Sequence, residues 1–133
     1  MHLMFNRSNM KMVQIPFLLT PYTGLFRISK WRMVTDDAQQ FYLKYGFNII
    51  GNNKTSNYIQ ICEEGVKKTE FYILVSEDVH VLPQLVDVGK NVYYNLIKMN
   101  GFIVQIKHKD KIQLRIANGE YIEFQFLLDV VLE

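Results

Sequence analysis

Few residues in this chain combine the type and spacing that catalysis needs. The three histidines, His2, His80 and His108, are too scattered to form a cluster. The single cysteine, Cys62, ends the apolar run "NYIQIC" and can make no internal disulfide. It reads as a small buried side chain, because an activated thiol needs an electropositive setting and Glu63 and Glu64 come directly after it. The four serines stand in no nucleophile-elbow context, and neither a P-loop nor a G-x-G-x-x-G occurs. Recognition chemistry remains. Trp31, Tyr42, Tyr58, Tyr72, Tyr93, Tyr94 and Tyr121 alternate with apolar residues, so some of these rings could stack against a flat organic ligand. Trp31 is the candidate for that contact, and the competing reading is that it caps the core.

Composition narrows the classes. A chain of 133 residues, 49% hydrophobic, can bury one proper core but not two independent ones. Fifteen basic residues are scattered among 13 acidic ones for a formal net charge of +2, which leaves no electrostatic footprint for nucleic acid. The cluster Lys107, His108, Lys109 and Lys111 reads as a solvated turn. No apolar run approaches the roughly 18 residues of a membrane helix. The run "IPFLL" near the start is too short for a signal peptide, so a cytoplasmic protein without membrane or nucleic-acid partners is expected.

Periodicity indicates the elements that must position these residues. Residues 1–23 read as an N-terminal arm or extra strand. "GLFRISKWRMVT" (24–35) alternates as a strand does, with Phe26 and Ile28 on one side and Arg27, Ser29 and Trp31 on the other. Asp36 or Asp37 then suits the start of a helix whose apolar face is Ala38, Phe41, Tyr42 and Tyr45, ended by Gly46. "FNIIG", "YIQIC" and "TEFYILVS" are strands. The order then restarts: a strand in "HVLPQLV", Asp87, a helix with Val92, Tyr93, Leu96 and Ile97 on one face, Gly101, and strands in "FIVQIK", "KIQLRIA" and "YIEFQFLL". Gly46 and Gly101 each precede a Phe (Phe47, Phe102) and a β-branched run. Residues 24–133 are therefore expected to form one domain of two βαβββ modules, 24–78 and 79–133, since one such module cannot bury its apolar face alone.

These residues resemble the vicinal oxygen chelate superfamily, which includes glyoxalase I, bleomycin resistance proteins and extradiol dioxygenases. "AQQFYLKYGFNII" is similar to that family's helix and the strand after it, "HVLPQLVDV" to the opening of its second module, and "NGEYIEF" to its closing turn and strand. "FYLKYGF" also resembles a segment of GNAT acetyltransferases, but no phosphate-cradling Gly-rich loop precedes it here. The resemblance implies an α+β fold, two modules making a partly open mixed β-barrel with helices outside and a cleft between them.

It also implies where a metal would bind. In catalytic members four strands each give one ligand, a role that His80 and Glu123 match. The opening slot falls on Arg27, which has no lone pair to give. For the remaining slot Glu70 is the candidate and Gln60 a weaker substitute. Arg27 facing His80 and Glu123 would instead suit an anionic ligand or a fixed ion pair. The expected function is thus a bleomycin-resistance-like protein that binds a small organic ligand in the cleft, with Arg27, Trp31, His80 and Glu123 lining it and no cofactor. One alternative is a divalent-metal-dependent lyase, isomerase or dioxygenase with His80, Glu123 and Glu70 as ligands. The other is a non-catalytic scaffold or regulatory domain. A homodimer is expected in each case because open strand edges need cover. Sequence alone leaves open whether the chain is an enzyme.

Overall fold

The computed structural model describes residues 3–6, 11–13, 27–53, 58–78 and 80–132. The described residues contain no α-helix; their helical content is a single 3-10 turn at Ala117–Gly119. The remaining elements are strands: β1 (Leu3–Asn6), β2 (Lys11–Val13), β3 (Arg27–Thr35), β4 (Gln40–Tyr42), β5 (Gly46–Gly51), β6 (Ile59–Ile61), β7 (Phe71–Val75), β8 (Gln84–Asp87), β9 (Val92–Tyr94), β10 (Ile97–Lys98), β11 (Ile103–Gln105), β12 (Lys111–Arg115) and β13 (Tyr121–Leu132). They form two sheets, one in the order β11-β8-β7-β5-β6-β1-β2 and the other in the order β10-β9-β12-β13-β3-β4.

The two sheets face each other across one apolar layer. Along β7, Phe71, Ile73 and Val75 point inward; along β13, Ile122, Phe124 and Phe126 do; along β3, Trp31 and Met33 do. This is the period of two expected of a sheet with one buried face. The layer is joined where the Phe71 and Phe124 rings meet edge to face, 6.0 Å between centroids. β13 and β3 form the longest pairing, from Phe124 opposite Thr35 to Leu132 opposite Arg27.

The architecture is a β-sandwich, and the expected α+β barrel with outer helices is incorrect. Both expected helices are turns and short strands. After β3 the chain reverses through Thr35–Gln39: the Thr35 amide donates to the Gln39 carbonyl at 2.9 Å, and Ala38 takes φ 68°. Thr35 Oγ1 accepts from the Gln39 amide at 3.1 Å and hydrogen-bonds the Asp37 carboxylate. An Asp pair that can start a helix can equally close a turn. Beyond the turn the chain alternates, with Phe41 and Leu43 buried and Tyr42 and Lys44 half-buried, so three- and four-residue spacing was a coincidence of a short aromatic run.

The second expected helix is the β9–β10 hairpin and its flanking turns. Lys90, Asn95, Leu96, Asn100 and Gly101 all take positive φ, which no helix accommodates. Gly46 and Gly101 do sit in the left-handed region, at φ 88° and 87°, but they end turns rather than helices. Nor are the halves paired modules of like build: strands from before and after residue 79 alternate within both sheets, β3 and β4 beside β13 in one and β8 beside β7 in the other. Cys62, expected to be buried, is exposed. Residues 14–26, read as part of the arm and the start of the first strand, lie outside the described residues.

Candidate functional site

The sandwich gathers four connections at one end: the residues after β5, those before β7, the β8–β9 turn and the β10–β11 turn. Their hydrogen bonds tie them together. The Asn52 amide donates to the Lys67 carbonyl at 2.9 Å, and the Asn52 side chain donates to the Val66 carbonyl. The Glu70 amide donates to the Ile50 carbonyl at 2.8 Å, while the Glu70 carbonyl accepts from Val88 at 3.0 Å and Gly89 at 2.8 Å. These bonds extend the β5–β7 and β7–β8 ladders past the strand ends, which carries the sheet's rigidity into the connections.

At the centre lies Glu70, fully buried. A buried carboxylate is costly unless its oxygens are occupied by donors. Here one oxygen accepts from the Lys67 amide at 2.9 Å and the other from the Asn91 side-chain amide at 3.1 Å. Gly89 makes room for this group: a Cβ there would stand 2.2 Å from Glu70 Oε1. Asp87 repeats the device one turn away. Its oxygens accept from the Lys90 amide at 3.0 Å and the Gly101 amide at 2.8 Å, which fastens the β10–β11 turn to the β8–β9 turn.

Among the described residues, Lys67, Lys68 and Lys90 are the cations of this end, with Glu63 and Glu64 in the turn before Val66. Lys67 Nζ donates to the Gly89 carbonyl at 2.7 Å. An ammonium has three donors, so that bond leaves two for another acceptor. The Glu70 and Asp87 carboxylates are turned into the loop framework and engaged by amide donors, while the lysines stand on it.

The residues singled out from sequence do not come together. Trp31 is buried in the sandwich, so the reading in which it caps the core is the one the structure supports. His80 is exposed in a turn ahead of β8, its amide donating to Asp78 Oδ1 at 2.9 Å. Glu123 lies on β13 opposite Gln113 and lines an open hollow of about 380 Å³ with Tyr93 and Lys111, on the other sheet from β8. Arg27 occupies the first position of β3, opposite Leu132. Gln60, the weaker ligand candidate, is buried and donates to the Asn52 carbonyl at 3.2 Å. Glu70 alone sits in the loop cluster, as an acceptor of amide donors. Among the described residues no group of three or more His, Cys, Asp or Glu could hold a metal ion. Sequence reading missed Gly89, Lys90 and Asn91. The signal was present: Asp, Gly and Asn packed into "DVGKN" are turn formers.

No protein-family model and no curated protein sequence matches the chain. Solved structures do. The N-terminal FHA domain of S. cerevisiae Rad53p, determined with a phosphothreonine peptide, superposes with a TM-score of 0.64 at 14% identity, covering 75% of this chain and 94% of that one. The FHA domain of CT664 from Chlamydia trachomatis gives a TM-score of 0.60 at 14% identity, covering 74% and 96%. The Rv0020c FHA domain gives 0.61 at 18% identity, covering 76% and 94%. The fold is that of an FHA domain. The likeness to the vicinal oxygen chelate superfamily is thereby overturned, and with it the small organic ligand, the lyase or dioxygenase alternative and the partners the resemblance implied. The FHA fold accounts for what the two-module reading could not: an almost pure β composition, and turns where helices were expected.

No helix among the described residues is long and apolar enough to cross a membrane.

Proposed function

We propose that this chain is a non-enzymatic interaction module that binds a phosphorylated segment of a partner protein at the loop cluster around Glu70, in the cytoplasm. The observation that carries this reading is the match of its sandwich, over three quarters of its length, to an FHA domain determined with a phosphothreonine peptide. Another FHA neighbour, with a TM-score of 0.59, comes from work on phosphothreonine-dependent FHA interactions. The chemistry of the loop end agrees. A phosphate brings close to two negative charges and three acceptor oxygens, and it is best met by cations and N–H donors on a rigid frame. Lys67, Lys68 and Lys90 supply the cations, and the bonds to Glu70 and Asp87 hold the frame.

The test is fluorescence anisotropy with a degenerate phosphothreonine peptide pool and the same pool unphosphorylated. Each charge-assisted hydrogen bond contributes about 1.5–3 kcal/mol, so a preference of about tenfold or more for the phosphorylated pool is expected. Lys90→Glu combined with Lys67→Ala should abolish it without loss of the folded state. Equal affinity for the two pools would overturn the reading.

A further inference from the structure

Beside the loop cluster, the open side of the sandwich carries a second surface of different character. Among the described residues β10 is the last strand of one sheet and β11 the last strand of the other, so each has a described pairing partner on one side only. Between these two edges lies a groove of about 300 Å³ lined by Tyr94, Ile97, Lys98, Phe102, Ile103 and their neighbours. Its apolar residues are unusually open to solvent: Phe102 is 72% exposed, Ile97 72% and Ile103 61%. Leu96, at the tip of the β9–β10 hairpin, is 76% exposed and takes φ 67°. A branched apolar residue in the left-handed region, facing water, serves neither the turn, which favours glycine, nor the core. Contiguous exposed apolar side chains of this kind mark a binding face.

The rim of the groove is basic. Lys98 is part of its wall, and Lys90 packs near Gly101, its Cε 4.0 Å from where a Cβ on that glycine would stand. The neighbouring acids are engaged elsewhere: Asp110 accepts from Tyr94 Oη at 2.6 Å and the Lys107 amide at 2.7 Å, and Asp87 holds the amides of Lys90 and Gly101. Open strand edges ask for an extended chain, the apolar floor asks for bulky alternate side chains, and the rim asks for negative charge between them.

We propose that this groove binds an extended segment of a partner protein in which bulky apolar residues alternate with acidic ones, added as a further strand beside β11. The groove's apolar floor is distinct from the phosphate site, Lys90 stands on the border the two share, and the proposal does not require the phosphate reading. The occupant's apolar side chains lie against Phe102, Ile103 and Ile97, and its carboxylates meet Lys98 and Lys90.

The test uses the full chain and three unphosphorylated fluorescein-labelled decapeptides: one alternating Ile with Glu, one with Lys in place of Glu, one with Ser in place of Ile. The Ile–Glu peptide should bind, about tenfold or more tighter than either control, and should protect the outward-facing amides of Ile103 and Gln105 from hydrogen exchange. Phe102→Ser, and separately Ile97→Ser, should weaken it about tenfold while leaving the melting temperature unchanged, since both side chains already face solvent. No binding, equal binding of the Lys peptide, or indifference to Phe102→Ser would overturn the proposal. So would a Phe102-dependent dimer in sedimentation, or Phe102-dependent capture by anionic phospholipid vesicles, since either would show another occupant on this face.

Discussion

Around Glu70, carboxylates are turned inward and held by amides, and a glycine stands where any side chain would collide. Around Phe102, across the turn that Asp87 fastens, large apolar side chains are turned outward and rest on little. The first arrangement is what a folded framework needs when it encloses a charge: nearly every donor has a place, and removing one leaves a buried group unmet. The second arrangement contributes little to the fold, because exposed apolar area adds nothing to the core. Stability and recognition thus draw on different parts of this sandwich. The Glu70 cluster should be intolerant of change and the hairpin face tolerant.

Gly89→Ala puts the first half of that contrast to its most severe trial. The new Cβ would fall 2.2 Å from Glu70 Oε1 and 3.3 Å from its Cα. The carboxylate cannot simply swing away, because its two oxygens hold the Lys67 and Asn91 donors. Displacing it strands buried polar groups at about 1–3 kcal/mol each, so a loss of about 3 kcal/mol is expected, on the order of 10 °C in Tm. Chemical denaturation measures it. Adding Glu70→Ala to the variant should cost less than the two single losses combined, since the clash partner is gone. Strict additivity would show that Glu70 and Gly89 are not coupled.

Several of the longer strands are legible in the sequence, though the sandwich they build is not, and the reason is visible in those strands. Residues 30–35, 71–75, 111–115 and 121–126 alternate cleanly because each has one face in the core, and periodicity reports burial. The two failures lie where burial does not set the pattern. "DDAQQFYLKYGF" has aromatics spaced for a helix by chance, and its turn is made by Ala38 at a positive φ that sequence does not announce. "NG" at 100–101 suits a helix end as well as a turn, because a left-handed glycine serves both; here it turns the chain from β10 in one sheet to β11 in the other. A two-module family follows only from two helices, and only that family places Arg27, His80 and Glu123 in one cleft. Glu70 reads as a possible ligand, but its role depends on Lys67, Gly89 and Asn91, and contact with Gly89 and Asn91, 19 and 21 positions away, is not written in local pattern. The lysines of the loop end carry no motif at all.

Leu96→Gly probes the tolerant region from the stability side. An L-residue in the left-handed region costs about 1–2 kcal/mol, part of which glycine returns as backbone freedom in the unfolded chain. A gain of about 0.5–1 kcal/mol in urea denaturation is therefore expected, the opposite sign to Gly89→Ala. A clear loss would mean that Leu96 packs usefully in the folded state, and the distinction between the two regions would weaken.

The smallest effect concerns the polar tether beneath that face. Burial and the adjacent Asp110 carboxylate, which accepts the Tyr94 hydroxyl proton at 2.6 Å, push the Tyr94 phenol up from 10.0 to about 12. The folded protein therefore holds this proton more tightly than the unfolded chain does. The associated stability is fully present below pH 10, the unfolded value, and drains away as the pH rises from 10 to about 12. Because Tyr94 is only half-buried, solvent screens the effect, and it should emerge as a shallow alkaline slope rather than a collapse. Tyr94→Phe should flatten that slope while leaving stability at pH 7 almost unchanged, as measured by urea midpoints at several pH values. If the slope persists in the variant, Tyr58, also raised by burial and bonded to the Tyr42 carbonyl at 2.9 Å, is the remaining tyrosine to test, and the alkaline weakness would then sit at the β4 edge of the sandwich instead of under the hairpin face.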